Sequence, residues 1–310
     1  MIHGIIDIGS NTVRMAVYRI EYGKLELLLK KKHAVGLAAY VKENRMTQEG
    51  IDRACEVLEE FRLFLTTFRI EHVTAFTTAA LRNVENSAEA VGEISARTGI
   101  AVQVLSGDEE ATFDFIGATY SMQSEDGILV DIGGASTEIV HYRARQILHV
   151  SSLPLGSLAM YTKYVEGLLP SRAELADIAA ETKQIIEAVE PLRGLCYAEL
   201  CGIGGTFKGT KQLKNALYNL PERHERVALQ NIESMLAQFA CDAGAVSNEV
   251  LDVLINVVPE RIKTILPGMM IAKCLAEHFG SQTIVYSDSG VREGYLYDRI
   301  LPQIAAAKLD

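Results

Sequence analysis

The sequence predicts an α/β protein made of two equivalent halves, on three observations. Strand-type and helix-type apolar periods alternate from one end of the chain to the other. A strand, an Asp, a glycine turn, a hydroxyl and a second strand occur in that order twice. The first copy is Ile5-Ile6-Asp7-Ile8-Gly9-Ser10-Asn11-Thr12-Val13 and the second is Leu129-Val130-Asp131-Ile132-Gly133-Gly134-Ala135-Ser136-Thr137, 124 residues further on. The length of 310 residues is also more than one hydrophobic core usually organises.

Taken in order, Ile2 to Ile8 and Val13 to Ile20 read as strands, and Lys24 to Lys30 as a third, reached through the turn Glu21-Tyr22-Gly23. Behind Thr47 as N-cap, Ile51, Ala54, Leu58, Phe61, Leu65 and Phe68 recur at helical spacing and give one apolar stripe. Glu71 to Thr77 is a short strand, Ser87 to Thr98 a helix, Ala101 to Leu105 a strand and Glu109 to Ser121 a helix. The pattern then restarts. Val73-Thr74-Ala75-Phe76-Thr77-Thr78 and Leu200-Cys201-Gly202-Ile203-Gly204-Gly205-Thr206 form a second matched pair, each a strand running into a small-residue turn and a helix. The cluster of Ser, Gln and acidic residues from Met122 to Asp126 marks the boundary, so residues 1–123 are expected to form one domain and 124–310 the other. The last helix, about 291–310, is available to pack back on the first domain. Ser171-Arg172-Ala173-Glu174 is a capping box opening a scaffold helix, with Leu175, Ile178, Ile185 and Val189 inward.

A chain that is 48% hydrophobic and 23% charged, with only 7 prolines, folds throughout instead of forming a disordered scaffold. No apolar run approaches the ~18 residues needed to span a bilayer, and Asp7 interrupts the first apolar stretch, so a soluble, cytoplasmic protein with no membrane partner is expected. Five scattered cysteines without a CxxC pair read as reduced core thiols. The net charge of −10 argues against a sequence-blind nucleic-acid binder, while leaving room for a small basic pocket.

The chemistry lies in the turns. Gly9, Ser10, Asn11 and Thr12 in the first, and Gly133, Gly134, Ala135 and Ser136 in the second, offer backbone N–H groups and hydroxyls that suit phosphate oxygens. Asp7 and Asp131 end the preceding strands, where a carboxylate reaches a cleft and holds a divalent metal directly or through water. A single such Asp more often caps its own turn; the duplication favours the metal reading. Gly204-Gly205-Thr206 precedes a helix carrying Lys208, Lys211 and Lys214, so a helix N-terminus and ammonium groups can meet an anion together, although a lysine stripe is also what a solvated face looks like. Neither the dinucleotide fingerprint nor the Walker A spacing is present.

Two duplicated Asp-and-hydroxyl turns with a late Gly-Gly-Thr turn resemble the actin, sugar-kinase and chaperone ATPase superfamily, whose duplicated ribonuclease H-like domains clamp phosphate in a cleft. The likeness narrows further. Asp7 to Thr12, Thr78-Ala79-Ala80-Leu81-Arg82, Ser106-Gly107-Asp108-Glu109-Glu110-Ala111, Asp131 to Glu138 and Ser287-Asp288-Ser289-Gly290-Val291-Arg292-Glu293-Gly294 are similar, in this order, to the signatures of the exopolyphosphatase and guanosine pentaphosphate phosphohydrolase family. Longer members carry extra C-terminal helical domains, and this chain is expected to be a short form. Ala135 stands where the family more often has a third Gly.

The resemblance implies hydrolysis of a terminal phosphoanhydride of inorganic polyphosphate, guanosine pentaphosphate or both, with Mg²⁺ or another divalent cation as cofactor. It implies that Glu110 deprotonates the attacking water, that Asp131 and Glu138 hold the metal or place the water with Asp7 in support, that Arg82 grips the transferred phosphoryl group, and that Arg261 lies near the cleft. Without that context, Glu109 and Glu110 at a helix start would be dipole compensation. The competing readings are an ATP-dependent small-molecule kinase of the same superfamily and a catalytically silent polyphosphate or nucleotide sensor. A homodimer is compatible with all three. The acidic balance favours short phosphate chains, because a long polyanion needs an extended basic track, and the cleft is expected to close on its ligand.

Overall fold

The computed structural model describes residues 1–119, 124–240 and 247–306. The first half opens with an antiparallel meander of β1 (Ile2–Ile8), β2 (Thr12–Glu21) and β3 (Lys24–Ala34). A small hairpin, β4 (Val41–Lys42) and β5 (Arg45–Met46), leads into α1 (Gln48–Thr67), where the Thr47 hydroxyl accepts the Gly50 N–H at 3.3 Å. Ile51, Ala54, Leu58, Phe61 and Leu65 of α1 are buried in the core that also takes Ile6, Ile8, Val13 and Met15 of the meander, whereas Phe68, expected to end that stripe, is the exposed C-cap. Next come β6 (His72–Thr77), α2 (Ala79–Arg82), α3 (Ser87–Thr98), β7 (Val102–Val104) and α4 (Gly107–Thr119). The sheet order is β3-β2-β1-β6-β7, with β1, β6 and β7 parallel. β1 is buried at every residue after Ile2, as a central strand covered on both faces requires.

The second half repeats this plan. β8 (Gly127–Ile132), β9 (Thr137–Arg143) and β10 (Gln146–Leu153) form its meander. α5 (Ser157–Tyr164) and α6 (Arg172–Glu187) follow, the latter opened by the capping box of Ser171 and Glu174. The remaining elements are β11 (Glu199–Ile203), α7 (Gly204–Leu217), β12 (Arg226–Ala228), α8 (Leu229–Phe239), α9 (Asn248–Val257), α10 (Ile265–His278), β13 (Thr283–Tyr286), α11 (Val291–Tyr295) and, after a π-helical turn, α12 (Leu301–Ala306). Its sheet runs β10-β9-β8-β11-β13-β12, the five-strand order of the first sheet with β12 added antiparallel at one edge.

α4 joins the halves. Phe113 packs with Ile5 and Phe76 of the first sheet, while Ala111, Phe115 and Ala118 pack with Leu129, Val140 and Tyr142 of the second. A helix apolar on both faces must be covered on both faces. α11 returns from the second half to lie against α4. A Cβ on Gly117 would strike the Gly290 backbone and one on Gly294 the Phe113 backbone, so glycine permits this close approach. Tyr295 completes the contact through the Phe76 and Phe113 rings, 5.5 and 5.2 Å away by centroid, and a 2.8 Å hydrogen bond to Gln103.

Met122, part of the expected boundary, lies outside the described residues. Cys55 and Cys274 are buried, Cys201 is half-buried and Cys196 is exposed, so the expectation of core thiols does not hold for Cys196, and Cys241 lies outside the described residues. Among the described residues no helix is long and apolar enough to cross a membrane.

Candidate active site

The two Asp-bearing turns are built identically. In the first, the Gly9 N–H donates to the Thr12 carbonyl at 3.0 Å; in the second, the Gly133 N–H donates to the Ser136 carbonyl at 2.9 Å. A Cβ at either glycine would sit 3.1 Å from that same carbonyl. Carbonyls in both turns are used by the scaffold: Ser10 and Asn11 accept from Ala38, Val35 and Gly36, while Gly133 and Gly134 accept from Ser157, Leu158 and Ala159. The N–H groups of Ser10, Asn11, Gly134 and Ala135 have no such partner among the described residues. The Asn11 side-chain Nδ2 is buried without a partner as well. Of these donors the Asn11 Nδ2 is buried, and the N–H groups of the half-buried Asn11, Gly134 and Ala135 are left open to an acceptor from outside the chain.

The turns face each other across a cleft lined by Asp7, Arg14, Glu110, Asp131 and Arg261 together with both turns, Gly204 and Gly205. They also touch. A Cβ on Gly134 would lie 2.9 Å from the Ser10 Cβ, and the free space in the cleft is about 80 Å³.

Strand register sets the charge of each wall. Asp7 is paired with Arg14 across β1 and β2, and their side chains are 3.7 Å apart. At the equivalent place, Asp131 is paired with Glu138 across β8 and β9. One wall therefore carries a compensated pair and the other two carboxylates. Burial first and like charge second push Asp131 and Glu138 up to about 7, Asp131 through the charge of Glu110 and Glu138 through that of Asp131. Glu138 Oε1 accepts from Ser136 Oγ at 2.7 Å and Ser152 Oγ at 2.8 Å.

Glu110 lies in the first turn of α4. Ser106 and Glu109 form the reciprocal cap there, the Ser106 Oγ accepting the Glu109 N–H at 3.1 Å and Glu109 Oε2 accepting the Ser106 N–H at 3.0 Å. Glu109 is thus spent on the helix end and Glu110 is turned inward. Burial, then the Glu138 charge, push the Glu110 carboxyl up to about 8 against the opposing pull of Arg82. Arg82, expected to grip the transferred group, donates to Glu110 Oε2 at 2.7 Å and reaches Glu138 Oε1 at 3.5 Å and the Leu105 carbonyl at 3.2 Å.

The Gly-Gly-Thr segment opens α7 and does not precede it. Gly204, at φ +79°, leaves room for the Asp131 carboxylate, and Gly205 leaves room for the Arg261 guanidinium, which burial and then the nearby Arg14 charge push down to about 10. Thr206, expected to bind phosphate, is buried and gives its hydroxyl to the Ile132 carbonyl at 2.9 Å, stitching α7 to β8. Lys208 is exposed and stands outside the cleft lining. The other two lysines are not a solvated stripe: Lys211 lies over the Tyr286 ring at 4.8 Å, and Lys214 is buried, 2.7 Å from His224 Nδ1 and donating to the Arg226 carbonyl at 2.6 Å.

Arg14 and Asp114 escaped the sequence reading. Arg14 stands seven residues after Asp7, as Glu138 does after Asp131, so the repeat itself marked it. Asp114, one turn beyond Glu110, is buried with neither oxygen hydrogen-bonded, and burial with the Asp131 charge holds its carboxyl well above the usual range. The residues fit a divalent cation sparingly. No three acidic, His or Cys side chains converge on one point among the described residues, but Asp7 and Asp131 both line the cleft, and Mg²⁺ commonly takes one or two carboxylates with phosphate oxygens and water.

The duplicated sheets, each with its Asp-bearing turn, define a protein of the actin-like ATPase fold. Residues 16–303 match the profile of the Ppx/GppA phosphatase family, and the chain belongs to that family. It is 27% identical over 300 residues to a guanosine-5'-triphosphate,3'-diphosphate pyrophosphatase of Aeromonas hydrophila subsp. hydrophila, a match covering 96% of this chain and 59% of that relative. The crystal structure of the Aquifex aeolicus member of the Ppx/GppA family superimposes with a TM-score of 0.78 at 27% identity over 98% of both chains. An exopolyphosphatase from Cytophaga hutchinsonii, at 23% identity and 98% of both chains, shares the fold with a TM-score of 0.81.

Proposed function

We propose that this protein is a phosphohydrolase that releases the terminal phosphate of inorganic polyphosphate, of guanosine pentaphosphate, or of both. The observation that carries this reading is the pair of facing turns with unmatched N–H groups, with the Glu110 carboxyl at the same cleft. Membership in the Ppx/GppA phosphatase family and the 27% identity to a guanosine-5'-triphosphate,3'-diphosphate pyrophosphatase support it.

In this mechanism the Ser10, Asn11, Gly134 and Ala135 N–H groups and the Asn11 amide hold non-bridging phosphate oxygens, while Arg14 and Arg261 offset charge from opposite walls. Glu110, with Oε1 clear of Arg82, takes a proton from a water as its oxygen attacks the terminal phosphorus; the bond to the bridging oxygen breaks and the shortened chain leaves with that oxygen. Raised basicity suits this task near neutral pH. Arg82 orients Glu110 and limits how far its proton affinity rises. Asp131 and Asp7, which line the cleft, would hold a divalent cation, with Glu138, whose Oε1 accepts the Ser136 and Ser152 hydroxyls, paired beside Asp131. Such a cation would neutralise phosphate oxygens and the leaving group.

The test is phosphate release measured in parallel on short polyphosphate, long polyphosphate, guanosine pentaphosphate and ATP. Release from at least one of the first three, exceeding that from ATP, is expected. Absence of release from all of them with a divalent cation present rejects the proposal.

A further inference from the structure

Asp114 stands one turn beyond Glu110 on α4, and both side chains are buried, so they share a face of the helix with Cβ atoms about 5–6 Å apart. Asp114 is 1% exposed, and neither of its carboxyl oxygens has a hydrogen-bond partner. It lies in the seam where α4 meets α11. A Cβ on Gly290 would sit 3.0 Å from Asp114 Oδ1 and 3.7 Å from Ile203 Cδ1, so the carboxyl is wedged between the N-cap of α11 and an apolar side chain. The Gly290 N–H is already given to Glu293 Oε2 at 3.1 Å. Ile203 is paired across β11 and β8 with Asp131, which brings the acidic wall to the same place.

The titratable groups facing Asp114 are Glu110 on its own helix, Asp131 on β8 and Glu138 on β9, while α11 presents the backbone of Gly290 and Val291. The other three carboxyls have partners. Arg82 donates to Glu110 and reaches Glu138, the Ser136 and Ser152 hydroxyls donate to Glu138, and Asp131 has the charges of Arg14 and Arg261 nearby. Asp114 has neither a donor nor an ion pair among the described residues. A carboxylate without donor or counter-charge is costly to bury, so among these acids the proton belongs on Asp114. Burial first and the Asp131 charge next hold its carboxyl well above the usual range, and the Val291 N–H beside it opposes that shift without reaching hydrogen-bonding geometry.

We propose that Asp114 is a positioning residue that stays a neutral acid, leaving Glu110 free to ionise, and that loss of the Asp114 proton sets the alkaline limit of turnover. This rests on the proposed role of Glu110 as the base and deepens it by naming a second group that governs it. Two acids one turn apart lose their protons in two coupled steps, the first from Glu110, which Arg82 holds, and the second from Asp114. Were Asp114 the first to ionise, its charge would hold a proton on Glu110 and the base would be lost. When both are ionised, Asp114 puts an unpaired charge behind Val291, which lines the cleft. That charge repels phosphate oxygens and draws water into the α4–α11 seam that fixes Glu110 in place.

The test uses the intact protein with Asp114→Asn, the near-isostere of the neutral acid, and Asp114→Leu, which carries no polar atom. Phosphate release from tripolyphosphate is followed across the acidic and alkaline limbs of the kcat–pH profile. Both variants are expected to keep the acidic limb in place and to move the alkaline limb up by about one pH unit or more. A loss of height with both limbs unmoved marks a merely structural residue and overturns the proposal. Two further measurements do not depend on activity. Infrared spectra at neutral pH are expected to show, in the parent, the C=O stretch of an un-ionised carboxyl that both variants lack; no difference between parent and variants overturns the neutral acid. Melting temperature is expected to fall less steeply with rising pH in the variants, because a carboxyl raised in the folded state contributes stability that is lost as pH passes its folded value. Should the protein release no phosphate from any substrate, the hydrolytic reading falls by itself, and the infrared band and the melts still decide whether Asp114 is the neutral acid.

Discussion

Arg82 donates to Glu110 across 2.7 Å, from a short helix after β6 to the first turn of α4, and its other terminal nitrogen reaches Glu138 in the second sheet. One guanidinium therefore ties the candidate base to the acidic wall opposite. Replacing Arg82 with Gln removes the positive charge that holds the Glu110 proton affinity down. Turnover is expected to fall by about 10- to 100-fold, and the acidic limb of the kcat–pH profile to move to higher pH. A profile that falls in height without shifting would mean that Arg82 acts on something other than Glu110.

Glu110→Gln is nearly isosteric and keeps an acceptor for Arg82. Phosphate release is expected to drop by about 10² or more while the melting temperature stays within a few degrees of the parent. Wild-type turnover in a folded Glu110→Gln protein removes this residue from the mechanism.

The carboxyls of Glu110, Asp131 and Glu138 are all raised, to about 8, 7 and 7, mainly by burial. A carboxyl raised in the folded state binds more protons there than when unfolded, so its contribution to stability is fully present below its unfolded value near 4 and is lost as pH rises through the folded value. The metal-free protein is expected to melt at progressively lower temperature from about pH 5 to pH 8, and added Mg²⁺ to offset part of that fall. Thermal melts across this range with chelator or Mg²⁺ decide it; a flat profile in chelator would contradict the burial of these groups.

Asp131→Asn and Asp7→Asn are expected to raise the Mg²⁺ concentration needed for half-maximal activity by about tenfold or more, with chelation abolishing activity in the parent. An effect in Asp131→Asn alone would make the metal environment one-sided.

Gly134 meets Ser10 where the two walls touch. In Gly134→Ala the new methyl is expected to hold the turns apart, enlarging the radius of gyration in solution scattering and lowering turnover by about tenfold through poorer alignment of the two halves of the cradle. Unaltered scattering with unaltered turnover would show that closure of this contact is unnecessary.

Local pattern by itself determined a good deal of this protein. The α/β class, the repeated meanders, the two Asp-bearing turns and the capping box at Ser171 follow from spacing and residue type within a few positions, because turn geometry and helix ends are satisfied by near neighbours. Tertiary structure alone decided where the long side chains went. Arg82 is hydrogen-bonded to Glu110 of α4, Thr206 is spent on Ile132, and Lys214 is buried against His224 and Arg226. These outcomes depend on contacts between residues far apart in the chain, where burial and strand register choose each partner, and no local period carries that information.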